Sequence, residues 1–448
     1  MRVSWTQPED LVPHAFAAAD LDGRDTADLR ERWLDAGGAN EPVVSGASPE
    51  PAPEPLRDIA RELLAEIDRR PVPETLNADE PEDLDAILAH IAPPELDREP
   101  DSYGNRVLGA WLGRAAGCLL GKPVEKISLE GIRAIAKDTG NWPLGGYFTE
   151  RGLDPELAAT YPWNRRSRPT SLAENIDGMP EDDDLNFPLI ALGLLEAKGR
   201  DFTTADVAQA WLDQLPGGRV FTAERIAYRN LLDGYAPEVA GAVRNPFRDW
   251  IGAQIRTDLY GWTAPGDPAD AARLAWTDAR LSHGRNGLYG AMFAAAASAA
   301  AVSGADMATV IKAGLSVVPA RSRYAEAIHF GVSLGRGDTP DEEAVDALHA
   351  EYGHLHWVHV LNNAALLAFA LTRGDGDFAR TITLAVTGGW DTDSVGATAG
   401  ALTGATTGAK ALPPEWITPL DDRYATSVPG FDGARFSALA IRTVEAAR

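Results

Sequence analysis

Two short acidic stretches carry the chemistry that this chain can offer. The first is Asp391-Thr392-Asp393-Ser394, where two carboxylates and a hydroxyl stand within four residues and a run of small residues follows. A helix that starts here holds the acids in its first turn, where the helix dipole favours anionic side chains. Fixed carboxylates with a hydroxyl form a hard-oxygen set, the kind that suits magnesium or manganese. The alternative is N-capping alone, because Asp and Ser are ordinary caps. The second stretch is Glu181-Asp182-Asp183-Asp184, which runs directly into the apolar segment 185–195. Four acids in a row usually form a solvated charge run. Pro188, however, is tolerated only in a first helical turn, which places Asp182–Asp184 at the start of a buried helix. Like charges crowded beside an apolar core repel unless a cation neutralises them. Two clusters of matching placement therefore favour a site for two divalent cations.

The elements that must position these acids are striped with glycine. Glycines recur at 396, 400, 404 and 408, and again at 109, 113, 117 and 121. Residues four apart lie above one another on a helix, and each glycine costs about 1 kcal/mol relative to alanine. The spacing predicts helices whose bare faces admit another backbone at close range. Gly121 and Lys122-Pro123 read as a helix stop. Glu125 follows in a loop, where it reads by itself as a solvated carboxylate. In the segment 278–291, Ser282, His283, Arg285 and Asn286 precede Gly287, Tyr289 and an alanine-rich helix. Free amides at a helix start bind phosphate; a polar helix–helix turn is the equal alternative. His354, His356 and His359 lack the spacing of a metal pair on one helix face and read as satisfied interior or interface histidines. Residues 138–178 form a long irregular stretch whose aromatics and Arg165, Arg166 and Arg168 either cover a ligand or pin a surface excursion.

Helix follows helix from residue 200 onward, and no segment alternates as a strand would. The fold class is all-α, with a compact core over 103–448. Residues 1–102 form an extension with short helical patterns at 26–36, 55–70 and 83–91 and a Pro/Gly-rich linker between the first two. The extension is expected to supply no metal ligand. The formal net charge of −25 argues against nucleic acid or an anionic membrane as main partner. The single cysteine, Cys118, excludes internal disulfides and cysteine-based metal sites. The N-terminal residues lack the apolar stretch of a signal peptide, so the chain reads as soluble and cytoplasmic.

Taken in order, the glycine helix ending in Gly121-Lys122-Pro123-Val124-Glu125, the acids 181–184, the segment from Leu281-Ser282-His283 to Tyr289-Gly290-Ala291, and Asp391-Thr392-Asp393-Ser394 resemble the ADP-ribosylglycohydrolase family. The chain looks like a divergent member of the dinitrogenase reductase-activating glycohydrolase type. The resemblance implies a compact orthogonal all-α domain over 103–448 with two magnesium or manganese ions. It implies cleavage of the N- or O-glycosidic bond at C1″ of an ADP-ribosylated or ribosylated protein or small molecule. The implied metal ligands are Glu181, Asp182, Asp183, Asp391, Asp393 and Ser394. The implied catalytic groups are Asp183, Asp393 and Glu125, and the implied ligand-binding residues are His283, Asn286, Gly287 and Tyr289. Glu181 and Asp184 stand where the family has threonines, and Cys118 stands where it usually has an aspartate. These departures point to a divergent leaving group. A catalytically silent relative that binds ADP-ribose-like ligands, or has a structural role, is the competing expectation; such a relative would be expected to have lost carboxylates rather than gained them.

Overall fold

A computed structural model describes residues 2–42, 45–89, 91–98 and 100–447. Among the described residues there is no β-strand, only isolated bridges pairing Met179 with Tyr424 and Trp250 with His359. The chain is all-α. Its centre is the alanine-rich helix Arg285–Ser303, buried along its whole length. Small side chains on every face let it pack against Asp258–Trp262, Pro268–Ala279 and Met307–Leu315. None of the described helices is long and apolar enough to cross a membrane.

The two glycine stripes face each other. Helices Tyr103–Gly121 and Thr392–Thr407 run antiparallel, with Gly109 opposite Gly404, Gly113 opposite Gly400 and Gly117 opposite Gly396. A Cβ placed on Gly117 would lie 1.9 Å from the Gly396 carbonyl oxygen, and one on Gly400 would lie 2.1 Å from that of Gly113. Only hydrogen fits at these positions. The register ends with Gly121 against Thr392, whose hydroxyl donates to the Gly121 carbonyl at 2.9 Å. The C-terminus of one helix thus meets the N-terminus of the other, so Lys122 and Glu125 emerge beside Asp391–Ser394. Gly408 departs from the predicted stripe. It lies just past the helix with φ +79° and ends it.

The extension folds onto the core. Its helix Pro8–Leu21 is absent from the sequence reading, because Pro13 inside the segment reads as a breaker. Pro8 starts that helix, and Leu11, Val12 and Phe16 bury its inner face. Helices Ala27–Asp35, Glu54–Arg69 and Leu84–Leu88 match the expected patterns; the expected end of the last includes His90, which lies outside the described residues. The long stretch 138–178 holds only short helices, Pro155–Thr160 and Arg168–Ser171, and is pinned by buried Tyr147, Phe148 and Trp163.

The glycine contact yields a paired test. Gly117→Ala must push two backbones apart and should destabilise the protein by about 3 kcal/mol or more. Gly104→Ala, in the same helix with nothing within 4 Å of the added carbon, should be neutral or up to about 1 kcal/mol stabilising. Urea unfolding followed by circular dichroism checks both; equal effects at the two positions would contradict the close packing.

Candidate functional site

Helix Asp183–Lys198 carries the first acid cluster. Asp182 caps it, its Oδ1 accepting the Asp184 N–H at 3.0 Å. Pro188 lies in the body of this helix rather than in its first turn. It has no N–H to donate to the Asp184 carbonyl one turn back. Arg114 fills that vacancy: its Nε donates to the Asp184 carbonyl at 2.6 Å. The fully buried guanidinium also bonds the Asp258 carboxylate at 2.7 Å and the Ile255 carbonyl. The proline thus exposes a carbonyl that anchors a cation beneath the acids.

Two successive left-handed residues, Gly389 (φ +81°) and Trp390 (φ +61°), turn the chain into the second cluster. The strain at Trp390 is held by stacking of its ring on His349 at 4.0 Å. Asp391 occupies the N-cap position, yet its side chain makes no capping bond, so capping does not account for it. Its N–H donates to Asn363 Oδ1 at 3.2 Å. Asp393 Oδ1 accepts the Ser394 N–H at 3.0 Å, and the Ser394 hydroxyl reaches Asp184 Oδ2 at 3.3 Å. That last contact joins the two clusters.

Asp182, Asp184, Asp391 and Asp393 are buried and Asp183 is half-buried beside them, and their proton affinities reflect it. Burial, with the charges of Asp182 and Asp393, drives Asp183 well above the usual carboxylate range. Burial and Asp182 do the same to Asp184, and burial with Asp393 and Glu125 to Asp391. Burial, Glu125 and Asp182 push Asp393 up to about 7. Asp182 goes the other way: burial raises it, but the Lys122 ammonium in contact with its Oδ2 leaves it lowered. Among the described residues the tightest group of possible metal donors is Cys118, Asp182 and Asp184, within 4.8 Å of one another; Asp183, Asp391, Asp393 and Ser394 line the same cavity and add hard oxygens, a chemistry that a divalent cation fits.

These groups line a cavity of about 1050 Å³, which Glu125 also lines. Glu125 is held by the Asn164 amide at 2.5 Å and by Lys126 at 3.2 Å. Arg165, Arg166 and Arg219 add positive charge to the lining, while Tyr161, Trp163, Phe221 and Trp357 add rings. Arg168 is elsewhere, paired with Glu150 at 2.7 Å. Among its described residues the extension contributes no carboxylate to this wall but does contribute Ser4, Trp5, Ser45 and Gly46.

Other expected members lie differently. The Glu181 carboxylate accepts from the Ser427 N–H at 3.0 Å and the Asn186 amide at 3.1 Å, and pairs with Arg219 at 3.0 Å. It is turned to the C-terminal segment, and Asp184 takes the place beside Ser394. None of His283, Asn286, Gly287 and Tyr289 lines the cavity. The amides of Asn286 and Gly287 donate to Asp249 Oδ1 at 2.9 and 3.4 Å, so this helix start already holds an anion from its own chain. The extension covers the same region: the Asn286 amide donates to Glu80 at 3.0 Å and the Tyr289 hydroxyl to the Pro81 carbonyl at 2.6 Å. His283 is buried against Ser282, and burial holds its pKa well below the ordinary value. His359 is buried as expected and His356 is half-buried, and burial depresses each to about 3, whereas His354 is exposed rather than interior. The sequence marks Lys122 only as part of a helix stop and assigns no role to Arg114, Asn164 or Asn363, because the roles of all four depend on distant partners.

The crowding predicts a pH signature. The folded state holds the Asp393 proton up to about 7 against an ordinary 3.8. Ionisation therefore costs stability progressively between those values, and the cost is complete above the higher one. In divalent-free buffer, the melting temperature of Asp393→Asn relative to wild type should rise as pH increases through this window. A constant difference would contradict the buried repulsion.

A model of the family described as ADP-ribosylglycohydrolase matches residues 99–447. An uncharacterized protein of Archaeoglobus fulgidus is 27% identical over 315 residues, which is 70% of this chain and 90% of the relative. A solved structure titled ADP-ribosylglycohydrolase-related protein complex is 23% identical, with a TM-score of 0.49 over 77% of this chain and 99% of its own. The extent of the family match decides the assignment: the chain belongs to the ADP-ribosylglycohydrolase family.

Proposed function

We propose that this chain is a divalent-cation-dependent hydrolase that cleaves the C1″ N- or O-glycosidic bond of an ADP-ribosyl or related ribosyl conjugate. The observation that carries the reading is the Ser394–Asp184 contact, which joins two acidic helix starts in one large cavity. Magnesium or manganese held by these oxygens would polarise the sugar hydroxyls and acidify a water. Asp183 and Asp393 orient that water and take its proton as its oxygen bonds to C1″. The bond from C1″ to the leaving group breaks with its electron pair on the leaving atom, which gains a proton. The sugar carbon passes through oxocarbenium character. Glu125, held by Asn164 and Lys126 within reach of the Asp391 and Asp393 charges, handles the leaving-group proton. Arg165, Arg166 and Lys126 offer charge for a diphosphate, and the Trp163 and Trp357 rings offer faces for flat or apolar groups.

Turnover of ADP-ribosyl-arginine, ADP-ribosyl-serine and simple ribosides tests this reading. At least one should be hydrolysed with magnesium or manganese present and spared in EDTA, and Asp393→Asn should lower kcat about 100-fold or more. Turnover indifferent to EDTA, or none by the metal-supplied protein, would contradict it.

A further inference from the structure

The acid cluster already contains a cation of its own. Lys122 follows directly after the first glycine helix, and the 121–392 register carries it into the acids. Its ammonium contacts Asp182 Oδ2 and donates to the Glu181 carbonyl at 3.3 Å. The side chain is 8% exposed, as is that of Asp182. A buried lysine this close to a carboxylate is a fixed charge pair, not a solvated surface contact.

The pairing uses up one side of the site. Asp182 has its Oδ1 on the Asp184 N–H and its Oδ2 on Lys122. Cys118, whose sulfur lies within 4.8 Å of the Asp182 and Asp184 oxygens, offers a soft donor poorly matched to magnesium or manganese. Glu181 is turned away onto Ser427 and Arg219. The hard oxygens that no lysine contacts are those of Asp183, Asp391, Asp393, Ser394 and the Asp184 Oδ2 that the Ser394 hydroxyl reaches at 3.3 Å, all on the lining of the same cavity.

We propose that the Lys122 ammonium stands in for one of the two cations expected from the sequence, so that the site takes a single divalent ion, held on the Asp391–Asp393–Ser394–Asp184 side. This rests on the divalent-cation reading above. It makes Lys122 a positioning residue that fixes metal number and placement, and it leaves Asp182 neutralised inside the protein. With one of the two charges fixed covalently, the cavity keeps a monovalent point where other sites would take a second metal. A ligand group held there meets an N–H donor instead of a metal coordination position.

Manganese binding to the full chain, followed by calorimetric titration and by elemental analysis after dialysis, tests the proposal. Wild type should bind one equivalent. Lys122→Met, confirmed folded by circular dichroism, should bind two, while Lys122→Arg should stay at one. Asp182→Asn supplies a second line that keeps the lysine: it should retain the single ion with affinity changed less than tenfold, whereas Asp393→Asn should lose it. Two equivalents in wild type, one in folded Lys122→Met, or loss of the ion in Asp182→Asn would overturn the lysine's role and leave the divalent reading standing. No manganese bound by wild type or by any variant would overturn the divalent reading itself.

Discussion

Carbonyl oxygens of one glycine helix sit where the side chains of the other would have been, and the remaining geometry of the site depends on that contact. At Gly117 and Gly396 the two backbones approach so closely that even a methyl group is excluded. Such packing fixes translation as well as distance, because one residue of slip would set a side chain against a carbonyl. The fixed register brings the end of Tyr103–Gly121 to the start of Thr392–Thr407. A helix C-terminus that carries Lys122 and Glu125 then meets a helix N-terminus that carries Asp391 and Asp393. The helix dipoles favour this arrangement, a cation beyond one end and anions at the other.

What the packing brings together is electrostatically unstable by itself. Carboxyls from two helix starts share a buried volume, and most of them are driven toward their protonated forms. The protein answers part of this with its own cations. Arg114 lies beneath Asp184, using a carbonyl that Pro188 leaves free, and Lys122 pairs with Asp182. The unanswered carboxyls cluster around Ser394. An excess of buried negative charge on one side is the condition under which binding a divalent ion gains most.

The backbone architecture was legible because it rests on local rules. Glycine at every fourth residue reports a bare helix face, and an acid run followed by an apolar run reports a helix start. The partners of individual side chains were not legible, because they come from far away in the chain. Glu181 looks like a ligand until Ser427 and Arg219 are seen to hold it. Lys122 looks like a helix stop until the helix pairing carries it to Asp182. Asn286 and Tyr289 looked like part of a ligand loop with His283, but Glu80 and Pro81 of the extension and Asp249 already satisfy their polar groups. The extension itself was hardest to read. Pro13 hid a helix, and nothing local announced that Ser4 and Trp5 would line the cavity.

Anomalous diffraction from crystals of the protein grown with manganese would reveal the divalent cation proposed for the joined acidic helix starts. A manganese peak is expected within coordination distance of the Asp184, Asp391 and Asp393 carboxylates and the Ser394 hydroxyl. Well-ordered carboxylates with no anomalous peak among them, or manganese bound only elsewhere on the molecule, would contradict that proposal.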